Sequence, residues 1–215
     1  MKWYDLFANI YDKSLDKLYA QSRKRAVDLL DLKTNETLID IACGTGANFK
    51  YIKERPINLT IYGTDFSEGM LKKAKNTVEK NKWNNIILFQ SDAKELTPIF
   101  IKTQMNKEVC FDKIICFLGL SVIPEWELAL DNMLNLLKEN GKIVIVDVFA
   151  EKRNFNTWLV EKFAKADLNR KIAQTLEKKT SNFYHEFLPI KESKVGGKIF
   201  VATGLKKTIP ILNKT

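Results

Sequence analysis

Residues 37–48, TLIDIACGTGAN, constrain this chain more than any other stretch. Thr37, Leu38, Ile39 and Ile41 form a short apolar, β-branched run, the pattern of a central strand covered on both faces. Cys43, Gly44, Thr45 and Gly46 then supply the small residues with which a backbone turns sharply and approaches a ligand. A helix that begins after such a turn presents free N–H groups to that ligand. A dinucleotide fingerprint requires a third small residue where this chain has Phe49, so the turn is wrong for a pyrophosphate. Asp40 sits just before the turn, and a carboxylate on a buried strand is costly unless it is paired or hydrogen-bonded.

Two further strands end in the same way. Residues 61–66, IYGTDF, close on Asp65, which lies 21 residues after Gly44, about where an acid grips a ribose diol. Residues 86–93, IILFQSDA, close on Asp92. Asp also caps helices well, but Ser67 is the better cap for a helix over 68–81, with Glu68 in its first turn, and that leaves Asp65 free for a ligand. Three strands with polar or acidic tips describe a nucleoside pocket without a phosphate clamp.

The stretches LIDIACGTGANF, IYGTDFSEGML, LFQSDAKEL and FDKIICFLGLSVIPEWELALDNMLNLLKENGKIVIVDVF resemble, in order and spacing, the motifs of class I S-adenosylmethionine-dependent methyltransferases over residues 36–149. The last of these, with the N-terminal YDLFANIYD, is similar to the ubiquinone/menaquinone C-methyltransferases and the bacterial phospholipid N-methyltransferases. The resemblance implies an α/β, Rossmann-like, doubly wound sheet of seven strands, mostly parallel, with one antiparallel strand in a C-terminal hairpin. It implies S-adenosyl-L-methionine as cofactor and S-adenosyl-L-homocysteine as product. Ala42, Cys43, Gly44, Thr45 and Gly46 would then form the cofactor turn, and Asp40 would hold the methionyl amino group. Asp65 would take both ribose hydroxyls, Phe66 and Met70 would flank the adenine, and Ser91, Asp92 and Ala93 would meet its edge. Phe117, at the end of the fourth strand, would border the same pocket, and Tyr11 of the YD motif would lie beside the cofactor.

Composition narrows the setting. The net charge of +9 is uneven: residues 1–35 carry +2, residues 36–150 carry −1, and residues 151–215 carry +8. A basic C-terminal third attracts anionic lipid or nucleic acid, and a lysine-rich, solvated surface explains the same numbers. Three cysteines, Cys43, Cys110 and Cys116, without C-x-x-C spacing fit a reducing compartment and neither a disulfide framework nor a metal site. The longest apolar run, residues 114–123, is far short of the roughly 20 residues of a membrane span, and no secretory leader is read at the N-terminus. The expected location is the cytoplasm, with peripheral contact at the inner membrane surface as an extension.

Around the core, residues 2–19 place Trp3, Phe7, Ile10, Tyr11, Leu15 and Leu18 at helical spacing, and the helix continues through 31. Tyr4, Tyr11 and Tyr19 are candidates to line a pocket there. Residues 94–110 read as an inserted surface helix or loop. Residues 118–124, LGLSVIP, lack the Asn/Asp-Pro-Pro-aromatic run of methyltransferases that act on nucleobase amines, and their apolar character suggests a hydrophobic acceptor, with packing under the next helix as the alternative and the reading for Val122 and Ile123. Pro124 is expected to open a helix that ends at Asn140-Gly141, followed by a strand over 142–149. Residues 155–179 read as a basic amphipathic helix, which either packs on the sheet or lies on an anionic membrane. Residues 183–188 and 198–203 read as a hairpin around Gly196-Gly197, and residues 205–215 as a loose tail. His185, the one histidine, lies on the first of those strands and reads as a structural core residue or as a candidate base or acceptor-orienting group.

The whole chain reads as one methyltransferase domain: a helical cap over 1–35, a cofactor core over 36–149, and a C-terminal helix and hairpin over 150–215. Methyl transfer needs alignment of acceptor, methyl and sulfur more than a strong base, so the lack of an acid–base pair fits. The expected acceptor is small and hydrophobic, a quinone precursor or a phospholipid headgroup. A soluble metabolite is the alternative acceptor. An RNA-binding protein on the same fold, or a cofactor binder without catalysis, is a further alternative.

Overall fold

Seven apolar segments pair into one sheet. In a computed structural model, which describes residues 2–207 and the side chains from residue 16 onward, the strands are β1 (Glu36–Ile41), β2 (Leu59–Asp65), β3 (Ile86–Gln90), β4 (Phe111–Phe117), β5 (Leu137–Phe149), β6 (Thr180–Phe187) and β7 (Lys198–Lys206). Their order is β3-β2-β1-β4-β5-β7-β6. The first five strands run parallel, and β7 runs against both of its neighbours, β5 and β6. This is the doubly wound sheet with one antiparallel strand that the sequence implies. Chain order reverses between β1 and β4, and the crevice beyond the C-terminal ends of those two strands is where such sheets hold ligands.

The helices are α1 (Lys2–Leu30), α2 (Phe49–Lys53), α3 (Glu68–Lys80), α4 (Pro98–Met105), α5 (Trp126–Leu136), α6 (Phe155–Ala164), α7 (Ile172–Lys179) and α8 (Glu192–Val195). Alternation along the strands divides the core between the two faces of the sheet. Leu38, Ile61, Ile115, Val144 and Val201 pack with Tyr19, Val27 and Leu30 of α1. Ile39, Ile114, Cys116, Ile145 and Ala202 face the other way, toward Ile101 of α4, Leu130 and Met133 of α5, and Leu176 of α7. Each fully buried side chain of this size contributes about 1.5–3 kcal/mol.

Several boundaries differ from the sequence reading, each for a local reason. α2 has only five residues, because the glycine turn runs on through Asn48 and Pro56 restricts Arg55. Its N-terminus is therefore a weaker anion site than a full helix would provide. α5 opens at Trp126, not at Pro124, because Glu125 stands in the left-handed region at φ 51°. It ends at Leu136, and Asn140-Gly141 instead bends β5, between the pairs Phe111↔Leu137 and Lys113↔Lys142. The basic helix splits into α6 and α7. The intervening Asp167 and Leu168 are stitched to the core by Asp167 N–H to Ser121 O at 2.8 Å and Ala150 N–H to Leu168 O at 2.7 Å. Leu205 and Lys206 belong to β7 and not to the tail, and the rest of the tail from 208 lies outside the described residues. The inserted segment forms α4, capped by Thr97 with Pro98 in its first turn. Ser67 caps α3 as expected, its Oγ accepting the Met70 N–H at 3.2 Å.

Candidate functional site

The turn after β1 is built on three left-handed residues, Ala42 (φ 58°), Gly44 (φ 57°) and Gly46 (φ 78°). Gly46 is obligatory, since a Cβ there would stand 2.6 Å from the Phe49 ring. A Cβ on Gly63 of β2 would meet the same ring at 2.7 Å. Phe49 therefore does not block the turn. It is a fully buried plug beneath it, seated in space that two glycines leave open. A Cβ on Gly44 would meet nothing within 4 Å, so this residue faces open space.

Asp40 lies at the tip of β1 with no solvent exposure. Its Oδ2 accepts from Asn48 Nδ2 at 2.9 Å, and its Oδ1 has no partner among the described residues. Burial pushes its pKa up to about 7, against the opposing effects of the Asn48 hydrogen bond and the Arg23 charge. Asn48 occupies the capping position of α2 but does not cap it. Its side chain bridges instead, donating to Asp40 and accepting from Arg23 Nη1. Arg23 reaches this point from α1, stacked 4.2 Å above the Phe117 ring at the end of β4. Tyr19, one turn earlier, meets Phe117 edge-on at 5.8 Å. The Arg23 Nε is buried without a partner among the described residues.

At the tip of β2, Asp65 Oδ2 accepts the Gly44 N–H at 2.8 Å and Oδ1 accepts the Ser67 N–H at 2.9 Å. The carboxylate thus ties the glycine turn to the start of α3, and it keeps lone pairs for further donors. Burial raises its pKa against these backbone hydrogen bonds. Phe66, next in sequence, is 54% exposed, an open aromatic face beside the acid. Met70 is half-buried in the first turn of α3. Thr64 and Ser91 hydroxyls bond across β2 and β3 at 2.7 Å. Asp92 accepts the Lys94 N–H at 3.0 Å, and Ala93 is buried behind it.

The loop after β4 closes the crevice from the other side. A Cβ on Gly119 would stand 2.9 Å from the Ala42 Cβ, so the two loops touch. Asp147, buried on β5, holds this loop by accepting the Ser121 N–H at 2.9 Å, and burial raises its pKa to about 6. Arg170 braces the loop from outside, donating to the carbonyls of Leu120 and, at 2.6 Å, Ile123.

The structure therefore gathers Asp40, Ala42, Cys43, Gly44, Thr45, Gly46, Asp65, Phe66, Met70, Ser91, Asp92, Ala93 and Phe117 along the C-terminal ends of β1 to β4. Burial drives the Cys43 thiol well above its ordinary pKa, so this residue is part of the wall and not a nucleophile. His185 is not brought to this place. β6 is three strand positions from β4, roughly 14 Å across the sheet. The imidazole meets Phe187 edge-on at 4.9 Å and Phe200 at a tilt at 5.6 Å, and Phe200 belongs to the core on the face opposite Phe117. Burial lowers its pKa. The Tyr11 side chain lies outside the described residues, as do those of Trp3, Tyr4 and Phe7. Arg23, Asn48 and Asp147 escape the sequence reading. Arg23 shares the buried stripe of Tyr19, Ala26, Val27 and Leu30, and a cation on such a stripe is a detectable signal.

A glycine turn flanked by acidic tips, on a sheet of this order, defines a Rossmann-like fold of the methyltransferase type. The chain belongs to the methyltransferase-domain family, whose model matches residues 32–201, and within it to the class I S-adenosylmethionine-dependent methyltransferases. It is 32% identical over 149 residues to the demethylmenaquinone methyltransferase of Desulfitobacterium hafniense (strain Y51), covering 68% of this chain and 54% of that protein. It is 28% identical over 145 residues to the phosphatidylethanolamine N-methyltransferase of Cereibacter sphaeroides, covering 67% and 66%. The chain thus spans little more than half the length of the first relative and about two-thirds of the second. Among solved structures, phosphoethanolamine N-methyltransferase 2 of Haemonchus contortus, in complex with phosphomonomethylethanolamine and S-adenosylhomocysteine, superposes with a TM-score of 0.74 at 13% identity, covering 97% of this chain and 58% of that one. The YcgJ protein of Bacillus subtilis superposes with a TM-score of 0.68 at 14% identity, covering 88% and 100%. At such identities the likeness concerns the fold alone.

Proposed function

We propose that this chain transfers the methyl group of S-adenosylmethionine to a lipid-like acceptor, a quinone-precursor ring or a phospholipid headgroup. The observation that carries the cofactor half is the pair of unpartnered buried atoms, Asp40 Oδ1 and Arg23 Nε. An unpaired buried polar group is costly, and a zwitterionic α-amino-carboxylate would satisfy an anionic and a cationic group together. The residues fit this cofactor. Asp40 would hold the ammonium and Arg23 the carboxylate. Asp65 would accept from the ribose diol, and Phe66 with Met70 would cover the adenine, whose edge would meet Ser91, Asp92 and Ala93. The left-handed turn at Ala42, Gly44 and Gly46 lets the backbone come close. Acids at the strand tips suit a ligand that carries two positive charges.

When bound, the cofactor supplies an activated methyl group and its own leaving group. The protein's part is to orient and to exclude water. Asp147, Ser121 and Arg170 would act at a distance, by fixing the loop that walls the acceptor side. Leu118 and Val122 on that loop, both partly buried, would offer apolar surface to a hydrophobic acceptor, while Ile123 packs into the core beside α5. His185 has no part in this reading. The named activities of the quinone and phospholipid relatives support the acceptor class.

The test is transfer of label from methyl-labelled S-adenosylmethionine in a reaction supplied with bacterial lipid extract and, separately, with the water-soluble metabolite fraction. Label should enter the organic phase. Label confined to water-soluble products would replace the lipid acceptor with a soluble one.

A further inference from the structure

We propose that the outer face of α6 is a docking surface for an anionic lipid bilayer. Among the described residues, α6 is anchored along one flank. Asn154 caps it, its Oδ1 accepting the Thr157 N–H at 3.0 Å, and the buried Thr157 hydroxyl donates to the Gly196 carbonyl at 2.7 Å. A Cβ on Gly196 would stand 2.9 Å from Val160, so that flank of the helix is packed tightly against the turn before β7. The outer flank is apolar. Phe155 is 71% exposed, Trp158 48% and Phe163 43%. The first two rings stack on each other at 5.8 Å instead of tucking into the core. Two stacked large aromatics exposed on one ten-residue helix form a patch, unlike the single exposed apolar residues that are ordinary on protein surfaces.

The charge around the patch selects the partner. Lys162 holds its ammonium 4.8 Å over the Trp158 ring. The surrounding segments, 151–167 and 191–198, contain seven basic and four acidic residues, and Glu161 is taken up by Arg153 at 3.1 Å. Aromatic rings with a lysine over the face, in a basic surround, match the boundary between acyl chains and anionic headgroups. A protein partner with an acidic surface would not need the rings. Position also fits. β5 runs parallel to β1 and β4, so α6 starts from the same edge of the sheet as the glycine turn, two strands along. A bilayer held there would face the crevice. The inference deepens the lipid-acceptor reading, but vesicle binding tests it without any turnover.

The experiment is co-sedimentation of the full chain with vesicles of phosphatidylglycerol and phosphatidylcholine, against pure phosphatidylcholine, at low and high salt. The double variant Phe155→Ser/Trp158→Ser and the charge variant Lys162→Glu/Lys165→Glu are run alongside. Calorimetry with S-adenosylmethionine checks that each variant keeps its cofactor site. Binding to the anionic vesicles should fall at least tenfold in both variants and with salt, with cofactor affinity unchanged. Equal binding by the variants and the parent would overturn the proposal, as would no binding at all. So would sedimentation as a dimer that the double variant dissolves, because the face would then be a contact between two copies. If vesicle binding fails while methyl label still enters detergent-dispersed lipid, the docking surface is lost and the proposed function survives. If vesicle binding holds and label enters only soluble products, the function is lost and the surface survives.

Discussion

Replacing Asp65 by alanine should weaken S-adenosylmethionine binding by at least about 100-fold, the equivalent of roughly 3 kcal/mol. The carboxylate does two jobs at once. It would accept two hydroxyl donors from the ligand, and hydrogen bonds to a charged acceptor are worth about 1.5–3 kcal/mol each. It also accepts the N–H groups of Gly44 and Ser67, which hold the glycine turn against α3. Asp65→Asn keeps one acceptor oxygen and should recover part of the turn but little of the binding. Calorimetric titration measures both. Near-parental affinity in Asp65→Ala would remove Asp65 from the cofactor site.

Asp40 gives the second large effect, and it is read through pH. Its pKa stands at about 7, raised by burial from an ordinary 3.8. A cationic ligand binds the ionised form, so affinity should climb as pH rises from 6 to about 7, by up to tenfold per unit. It should fall again above about 8, as the ligand's own α-ammonium loses its proton. Asp40→Asn should bind at least tenfold more weakly at pH 7.5 and lose the acid limb. Stability without cofactor runs the other way. A carboxyl with a raised native pKa makes the native state the better proton binder. The stability it contributes is full below about pH 4 and is lost as pH rises through about 7. Asp147, raised to about 6, acts in the same direction at slightly lower pH. The melting temperature of the cofactor-free protein, where these groups govern, should decline from pH 5 to 7.5, and saturating cofactor should offset that decline.

The parts of this site that lie along single strands are legible in the sequence. Acids at strand tips announce themselves, because a carboxylate at the end of an apolar run calls for a ligand or a helix to cap, and Ser67 takes the cap beside Asp65. Asp147 carries the same signal within KIVIVDVF, and the argument made for Asp40 applies to it without change. Contacts that join distant segments are not legible. Arg23 and Asn48 meet across 25 residues, and nothing in either neighbourhood names the other. Phe49 misleads in a useful way. It excludes a pyrophosphate fingerprint, yet its ring is buried under Gly46 and Gly63 and never enters the ligand's space. His185 shows the limit of strand patterning, which gives the face of a residue but not the place of its strand in the sheet. The break between α6 and α7 is likewise tertiary, since it follows from hydrogen bonds to Ser121 and Ala150, each more than 15 residues away.

A crystal structure of the protein grown with saturating S-adenosylhomocysteine tests the central claim most directly. The ligand should lie over the glycine turn, with its ribose hydroxyls on Asp65, its amino group on Asp40 Oδ1, its carboxylate at Arg23 and its adenine beside Phe66. A ligand bound elsewhere, or a crevice still empty at saturating concentration with Asp40 and Arg23 unchanged, would contradict the account.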